Sequence, residues 1–192
     1  FYVVTGFNSK LIQERLAILA QSGSLSINFI HNPQWRKPNG ISVLSVREII
    51  HEPFLLLMSD HLFDSSIVKD LIVAGIESGE VKLAIDKRIK NNQLVDLEDV
   101  TKVQVKGDRI LDIGKNISSY NAFDTGIFLC TPALFNALEE SISEGDASLS
   151  GGIRKMASIH KGLIFDIGNR LWIDIDDETA FKKAEKYFKN NF

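Results

Sequence analysis

An unbroken apolar run near the middle of the first half constrains the fold more than any other feature. Phe54-Leu55-Leu56-Leu57-Met58 shows no polar alternation, so it predicts a central parallel strand that is covered on both faces. Parallel strands need crossover connections, and apolar residues recur at helical spacing on both sides of the run. The chain therefore predicts an α/β fold built on a doubly wound sheet.

The other elements are predicted from the same two periodicities. Further strands are expected at Phe1–Thr5, Ser26–His31, Val81–Ile85, Ala122–Leu129 and, as one or two strands, Leu163–Ile175. Helices are expected near residues 11–19, 41–49, 67–72, 132–140, 148–160 and 177–188. After Asp86 the rhythm changes to a β-hairpin that turns at Lys106-Gly107-Asp108. We interpret residues 98–121 as an insertion on a single domain spanning 1–192.

Composition excludes several classes of protein. A chain of 192 residues is long enough for one sizeable core, and a net charge of −3 gives no electrostatic basis for binding nucleic acid. Cys130 is the single cysteine, which excludes an intramolecular disulfide and fits a reducing cytoplasm. No apolar stretch approaches the roughly 20 residues of a membrane span. Because Phe1-Tyr2-Val3-Val4 is typical of the middle of a buried strand, we expect the chain to begin inside a larger domain.

Two acidic clusters lie far apart in the sequence, and each follows a predicted strand. The central apolar run stops at Asp60, and Trp172-Ile173-Asp174-Ile175-Asp176 places two carboxylates on one face of an extended segment. In open α/β sheets, ligands bind beyond the carboxyl ends of strands. Three carboxylates that meet there would suit Mg²⁺ and a nucleoside triphosphate. The alternatives are that Asp60 forms a turn and that Asp176 or Asp177 caps the last helix.

Two loops carry residues that could contact an organic ligand. In Asn39-Gly40-Ile41-Ser42 the glycine would let backbone approach a flat base, while Asn39 or Ser42 bonds its edge. A turn followed by a helix cap is the simpler interpretation of the same residues. Asp124-Thr125-Gly126 opens a strand with an acid, a hydroxyl and a glycine, a set that suits a polyol.

Basic residues near these strands are candidate phosphate contacts: Lys87, Arg88, Lys102 and Lys115. Lysines are mostly solvated surface residues, so none is assigned by its charge alone. Lys115 stands out because Ile113-Gly114-Lys115 ends a hairpin strand, from which the ammonium could reach a neighbouring site. The four histidines and Cys130 have no spacing typical of a metal or catalytic site, so no role is predicted for them.

Together these motifs resemble the nucleotidyltransferase superfamily, and most of all the CTP:inositol-1-phosphate cytidylyltransferases. Asp60 and the Trp-x-Asp-x-Asp segment are shared across that superfamily, whereas Thr101-Lys102-Val103, Ile113-Gly114-Lys115 and Asp124-Thr125-Gly126 narrow the resemblance to the inositol branch. The other matching residues are Asn32, Trp35, Asn39–Ser42, Tyr120–Asn121 and Leu149–Ile153. The resemblance covers essentially the whole chain and implies a Rossmann-like mixed sheet of the nucleotide-diphospho-sugar transferase type.

The resemblance also implies a role for each matching residue. Mg²⁺ would be held by Asp60, Asp174 and Asp176. The cytosine of CTP would lie near Asn39, Gly40 and Ser42. The inositol would lie near Asn121, Asp124, Thr125 and Gly126. Catalysis would depend on Asp60 and on the phosphate-neutralising side chains of Lys115, Lys102 and Lys87.

One element of the superfamily has no counterpart in this sequence. Its Gly-rich phosphate-binding loop follows a first strand that would lie upstream of Phe1, so we expect the first βα units, including a central strand, to be missing.

The reaction that the resemblance implies is direct displacement at the α-phosphorus of CTP by inositol-1-phosphate. The alternatives are a related transferase that acts on phosphocholine or a hexose-1-phosphate, and a nucleotide-binding module without turnover.

Overall fold

The computed structural model describes residues 1–23, 25–90 and 95–191. The strands are β1 Tyr2–Thr5, β2 Asn28–His31, β3 Phe54–Leu57, β4 His61–Phe63, β5 Val81–Asp86, β6 Lys102–Lys106, β7 Arg109–Gly114, β8 Ala122–Cys130, β9 Gly162–Asp166 and β10 Trp172–Asp174. The helices are α1 Ser9–Gly23, α2 Gly40–Leu44, α3 Ser65–Ala74, α4 Ala133–Ser143, α5 Leu149–Ser158 and α6 Glu178–Asn191. Strands and helices thus alternate over much of the chain, as the sequence predicts.

A six-stranded mixed sheet forms the centre of the molecule, with strand order β3-β8-β5-β9-β7-β6. β5 and β9 are parallel, while β8 runs antiparallel to both β3 and β5. The predicted hairpin forms as β6 and β7, and β6 also pairs with β8 where Val103 lies opposite Ala122. Val103 and Ile113 are fully buried in the main apolar cluster. The hairpin is therefore part of the core as well as an addition to the sheet.

Apolar side chains cover both faces of this sheet. On one face, α4 and α5 contribute Leu134, Leu138 and Ile153 to a large buried cluster. On the other face, α3 contributes Ile67 and Leu71 to a second cluster. Helices on both faces of a mixed sheet confirm the predicted doubly wound α/β class.

The strand expected at the centre of the sheet lies at an edge within the described residues. β3 pairs with β8 in antiparallel register, and its other edge faces β1, which pairs with β2 in a separate two-stranded sheet. An apolar groove of about 550 Å³, lined by residues that include Phe1–Val4 and Phe54–Met58, lies between the two edges. The prediction of a central parallel strand was wrong for this chain. An apolar run indicates that a strand is covered on its faces, but it does not indicate what pairs with its edges.

Two short elements also differ from the predictions. α2 ends at Leu44, earlier than expected, and is followed by turns. β4, of only three residues, was not predicted because so short a segment shows no periodicity; it pairs with β10 as an antiparallel ribbon. Within residues 1–23, 25–90 and 95–191, no helix is long and apolar enough to cross a membrane.

Candidate active site

The β4–β10 ribbon brings the two acidic clusters of the sequence together. In its register, His61 lies opposite Asp174, and the amide of Ile175 donates a hydrogen bond of 2.9 Å to the carbonyl of Asp60. Asp60 directly precedes β4 and Asp176 follows β10, so both lie at the same end of this antiparallel ribbon. This pairing explains how residues more than a hundred positions apart can share one site.

His61 lies between the two clusters. Its Nδ1 is 2.7 Å from the carbonyl oxygen of Thr125, and its Nε2 is 3.4 Å from Asp174 Oδ2 and 3.8 Å from Asp60 Oδ1. The ring packs against Trp172, with 5.8 Å between the ring centroids. Burial alone would lower the pKa of His61, but the neighbouring carboxylate of Asp174, the carbonyl of Thr125 and the charge of Asp124 raise it to about 9.

Gly126 makes room for this imidazole. It has a φ of +72°, and a Cβ added there would lie 2.4 Å from Nδ1 of His61. The amide of Gly126 also donates a hydrogen bond of 2.8 Å to Asp124 Oδ1. Burial raises the pKa of Asp124 to about 6, although that hydrogen bond and the charge of His61 act in the opposite direction.

Asp99 joins the site from the segment that precedes β6. Its Oδ1 accepts a hydrogen bond of 2.5 Å from the ammonium of Lys115, and this contact holds the pKa of Asp99 below its usual value. Partial burial and the neighbouring charges of Asp174, Asp99 and Asp60 raise the pKa of Asp176 to about 6. Several carboxylates therefore lie close together here, and Asp99 among them is paired with Lys115.

A cleft of about 180 Å³ opens above these groups. Among the residues that line it are Asn39, Asp60, His61, Lys115, Asp124 and Ser150. The cleft lies at the carboxyl end of β3 and β10, where an open α/β sheet binds its ligands. A second cavity of about 570 Å³ adjoins it on the far side of Asp99, Asp174 and Asp176.

The donor atoms of this cluster fit a divalent cation. Asp174 Oδ1 is buried and has no hydrogen-bond partner among the described residues. Ligand atoms of Asp60, His61 and Asp174 all lie within 4.8 Å of one another, and so do those of Asp99, Asp174 and Asp176. Carboxylate oxygens are the ligands that Mg²⁺ prefers, and a bound cation would offset their mutual repulsion. Asp60 and Asp176 do not share one of these groups, so Asp174 is the residue common to both.

Two residues expected near the inositol have side chains that are already occupied. Thr125 is fully buried, and its hydroxyl donates a hydrogen bond of 2.8 Å to the carbonyl of Ala84. The amide of Asn121 bonds the backbone N–H and C=O of Val105, at 2.8 and 3.0 Å. The structure therefore contradicts ligand contacts through the Thr125 hydroxyl, and it gives Asn121 a role in holding β6. Asp124 and Gly126 do line the cleft.

The segment expected at the base divides between two places. Asn39 lines the cleft, and its Oδ1 accepts a hydrogen bond of 2.8 Å from the amide of Leu149, which ties this loop to the start of α5. Ser42 lines the apolar groove, where its hydroxyl accepts a hydrogen bond of 3.0 Å from Asn32. Gly40 is buried, and an added Cβ would lie 2.5 Å from the carbonyl oxygen of Ala147. Packing against backbone is thus one reason for a glycine at position 40, and its predicted place near the base stays a prediction.

Of the three predicted lysines, Lys115 alone lines the described cleft. The ammonium of Lys102 donates a hydrogen bond of 3.0 Å to the carbonyl of Lys115, so it supports the backbone of that residue. Lys87 pairs with Asp166 at 3.1 Å, away from the cleft lining. Each of these contacts occupies only one of the three N–H donors of the ammonium, so phosphate contacts by Lys102 and Lys87 stay predictions.

Neither His61 nor Asp99 is predicted as a site residue from the sequence. His61 comes directly after Asp60, but its approach to Asp174 depends on the ribbon register. Asp99 lies in a turn segment, and its contact with Lys115 spans 16 positions. The predicted alternative for the last helix is confirmed in part, because Asp177 Oδ1 accepts a hydrogen bond of 2.7 Å from the amide of Ala180.

Comparison with curated proteins identifies relatives across most of the chain, although no family model matches it. The chain is 27% identical over 176 residues to the bifunctional IPC transferase and DIPP synthase of Rubrobacter xylanophilus, covering 90% of this chain and 38% of that protein. It is 31% identical over 159 residues to the protein of the same name from Thermococcus kodakarensis, covering 82% of this chain and 34% of that protein. The chain thus spans less than two fifths of the length of these relatives.

Solved structures give a closer match in length. The inositol-1-phosphate CTP transferase from T. maritima aligns with a TM-score of 0.80 and 30% identity, over 94% of this chain and 71% of that one. A UDP-glucose pyrophosphorylase complexed with UDP-glucose aligns with a TM-score of 0.77 at 15% identity, over 100% of this chain and 81% of that one, and this shows a shared fold alone. On the T. maritima match, the chain belongs to the inositol-1-phosphate CTP transferase family.

Proposed function

We propose that the protein transfers a cytidylyl group from CTP to inositol-1-phosphate and releases pyrophosphate. The observation that carries this proposal is the meeting of Asp60 and Asp174 at a cleft beyond the strand ends, in a chain of this family. The names of the relatives support the same acceptor: IPC transferase for the curated proteins and inositol-1-phosphate CTP transferase for the T. maritima protein.

The reaction needs alignment more than it needs a general base. A phosphate oxygen of inositol-1-phosphate attacks the α-phosphorus of CTP, forming a new P–O bond. The bond from that phosphorus to the oxygen bridging the α- and β-phosphates breaks, and pyrophosphate leaves with the electron pair. The attacking phosphate already carries negative charge near neutral pH, so catalysis consists of holding the two phosphates in line and stabilising their charge.

In this proposal, Asp60 and Asp174 would hold Mg²⁺. Asp176 would add a carboxylate from the second group of ligand atoms, which it forms with Asp99 and Asp174. The bound cation would supply positive charge next to the reacting phosphates. Lys115 provides a second positive charge, and its pairing with Asp99 keeps the ammonium at the mouth of the cleft. A substrate phosphate would compete with Asp99 for that ammonium.

The acceptor would bind between Asp124 and the amino end of α5. Asp124 and Ser150 offer polar atoms to the hydroxyls of an inositol ring. A phosphocholine acceptor would instead need an aromatic or anionic cage for its quaternary ammonium.

We place the reaction in the cytoplasm, for which a single buried and unpaired cysteine is the support.

The test is a comparison of acceptors. The protein is assayed with CTP, Mg²⁺ and each of inositol-1-phosphate, phosphocholine and glucose-1-phosphate, with pyrophosphate release as the readout. We expect CDP-inositol as the main product. Asp60→Asn should lower turnover by orders of magnitude, whereas Asp108→Asn, an exposed hairpin carboxylate, should leave it unchanged.

Each outcome has a defined meaning. Faster turnover with phosphocholine or glucose-1-phosphate would overturn the inositol assignment. Binding of CTP without turnover of any acceptor by the complete gene product would favour a nucleotide-binding module.

A further inference from the structure

His61 has the surroundings of a metal ligand. Metal-bound histidines usually donate the N–H of the other ring nitrogen to a carbonyl or a carboxylate, which fixes the tautomer and the orientation of the ring. Here Nδ1 lies 2.7 Å from the carbonyl oxygen of Thr125, and that oxygen can only accept. Nδ1 is therefore the protonated nitrogen, and Nε2 is directed to Asp174 and Asp60.

The distances around Nε2 suit a shared cation better than direct hydrogen bonds. A ring N–H to oxygen bond is usually about 2.7–3.2 Å long, whereas Nε2 lies 3.4 Å from Asp174 Oδ2 and 3.8 Å from Asp60 Oδ1. Ligands bound to one cation at about 2.0–2.2 Å lie roughly 3–4 Å from one another. The three atoms therefore already have the spacing of ligands around a common centre.

The ring is held in this position by its packing. Only 11% of the His61 side chain is exposed, Trp172 packs against it, and Gly126 leaves no room for a Cβ beside Nδ1. The buried and unpaired Oδ1 of Asp174 adds an oxygen that has no other partner among the described residues.

We propose that His61 is the third protein ligand of the cation site, through Nε2, beside Asp60 and Asp174. The inference rests on the cation site of the proposed function, but not on the identity of the acceptor. An imidazole nitrogen favours transition metals over Mg²⁺, which prefers oxygen ligands. The protein should therefore bind Mn²⁺ more tightly than an all-carboxylate site would, and its preference for Mn²⁺ over Mg²⁺ should depend on His61.

The test uses Mn²⁺ as the probe and three forms of the complete gene product. In His61→Asn, the amide nitrogen takes the place of Nδ1 and keeps the bond to Thr125, but nothing takes the place of Nε2. His51→Asn alters an exposed histidine elsewhere and is the matched control. Binding of Mn²⁺ is titrated by EPR, modulation of the electron spin echo detects a coordinated ¹⁴N, and the melting temperature in EDTA reports folding.

We expect ¹⁴N modulation in the wild type and in His51→Asn, and none in His61→Asn. His61→Asn should also weaken Mn²⁺ binding by about tenfold or more, and Mg²⁺ binding by less, while a cooperative melting transition in EDTA shows that the variant is folded. Mn²⁺ that binds the wild type without ¹⁴N modulation, or equally well to His61→Asn, overturns the inference and leaves cytidylyl transfer intact. Failure of the wild type to use any acceptor contradicts the proposed function, whatever the spectrum shows.

Discussion

The close contact between Gly126 and His61 predicts how much a methyl group at position 126 would destabilise the protein. In Gly126→Ala, the residue has to keep a φ of +72°, which costs an L-residue about 1–2 kcal/mol. The new Cβ would also lie 2.4 Å from Nδ1, so the ring must move by about 1 Å to reach ordinary contact. Overpacking of this kind costs about 1–3 kcal/mol, and a lost hydrogen bond to Thr125 about 1 kcal/mol more. We expect the free energy of unfolding to fall by about 3–6 kcal/mol.

Gly107→Ala is the matched control. Gly107 has a similar φ of +63°, but no atom lies within 4 Å of an added Cβ. Its replacement should therefore cost only the backbone strain of about 1–2 kcal/mol. The difference between the two variants in urea unfolding measures the contact with the imidazole.

A double-mutant cycle completes the assay. His61→Ala removes the ring, so Gly126→Ala should cost about 2 kcal/mol less in that background than in the wild type. Equal destabilisation by Gly126→Ala and Gly107→Ala, or a cycle that shows no coupling, would refute the idea that His61 is held rigidly by its surroundings.

Other sites offer shorter tests by urea unfolding. Gly40→Ala should lower the free energy of unfolding by about 1–3 kcal/mol, because its Cβ would clash with the Ala147 carbonyl. An unchanged stability would contradict this packing and favour the predicted contact with a base. Trp172→Phe should cost about 1–3 kcal/mol, because buried Asp86 loses a hydrogen bond of 2.9 Å. In EDTA, the raised pKa of His61 means that the folded state binds a proton on this imidazole more tightly than the unfolded state does. The resulting contribution to the free energy of unfolding is fully present below pH 6.5 and is lost as the pH rises through about 9. The loss should reach up to about 3 kcal/mol and be absent in His61→Asn.

Local patterns predicted most of the elements and, apart from Asp99, the acidic residues of the site. Asp60 and Asp174 could be found because each ends or follows a strand, and strand ends of an α/β sheet face a common cleft. That these two residues converge could be predicted without knowing the strand register. The position of His61 between them could not be predicted in this way, because His61 meets Asp174 only through the pairing of β4 with β10.

Some residues that were predicted to contact a ligand also have structural roles, and these depend on contacts between distant parts of the chain. Gly40 was assigned to a base, but the atom that excludes a larger residue is the carbonyl of Ala147 at the start of α5. Thr125 has the residue type of a polyol contact, yet its hydroxyl bonds Ala84 on a neighbouring strand. Residue type and spacing indicate which groups are available for chemistry, whereas packing decides which of them face the cleft.

The apolar groove between β1 and β3 separates two parts of the chain that should differ in local stability. β1 and β2 pair with each other and α1 buries no residue, while the six-stranded sheet carries both large apolar clusters. An extended segment that entered the groove could form ladders with both facing edges and join the two sheets into one. With the groove open, the β1–α1–β2 unit should exchange its amide hydrogens through local openings of low free energy, well before the sheet that holds the acidic cluster. The cooperativity of unfolding in this protein is therefore set at one edge of one strand.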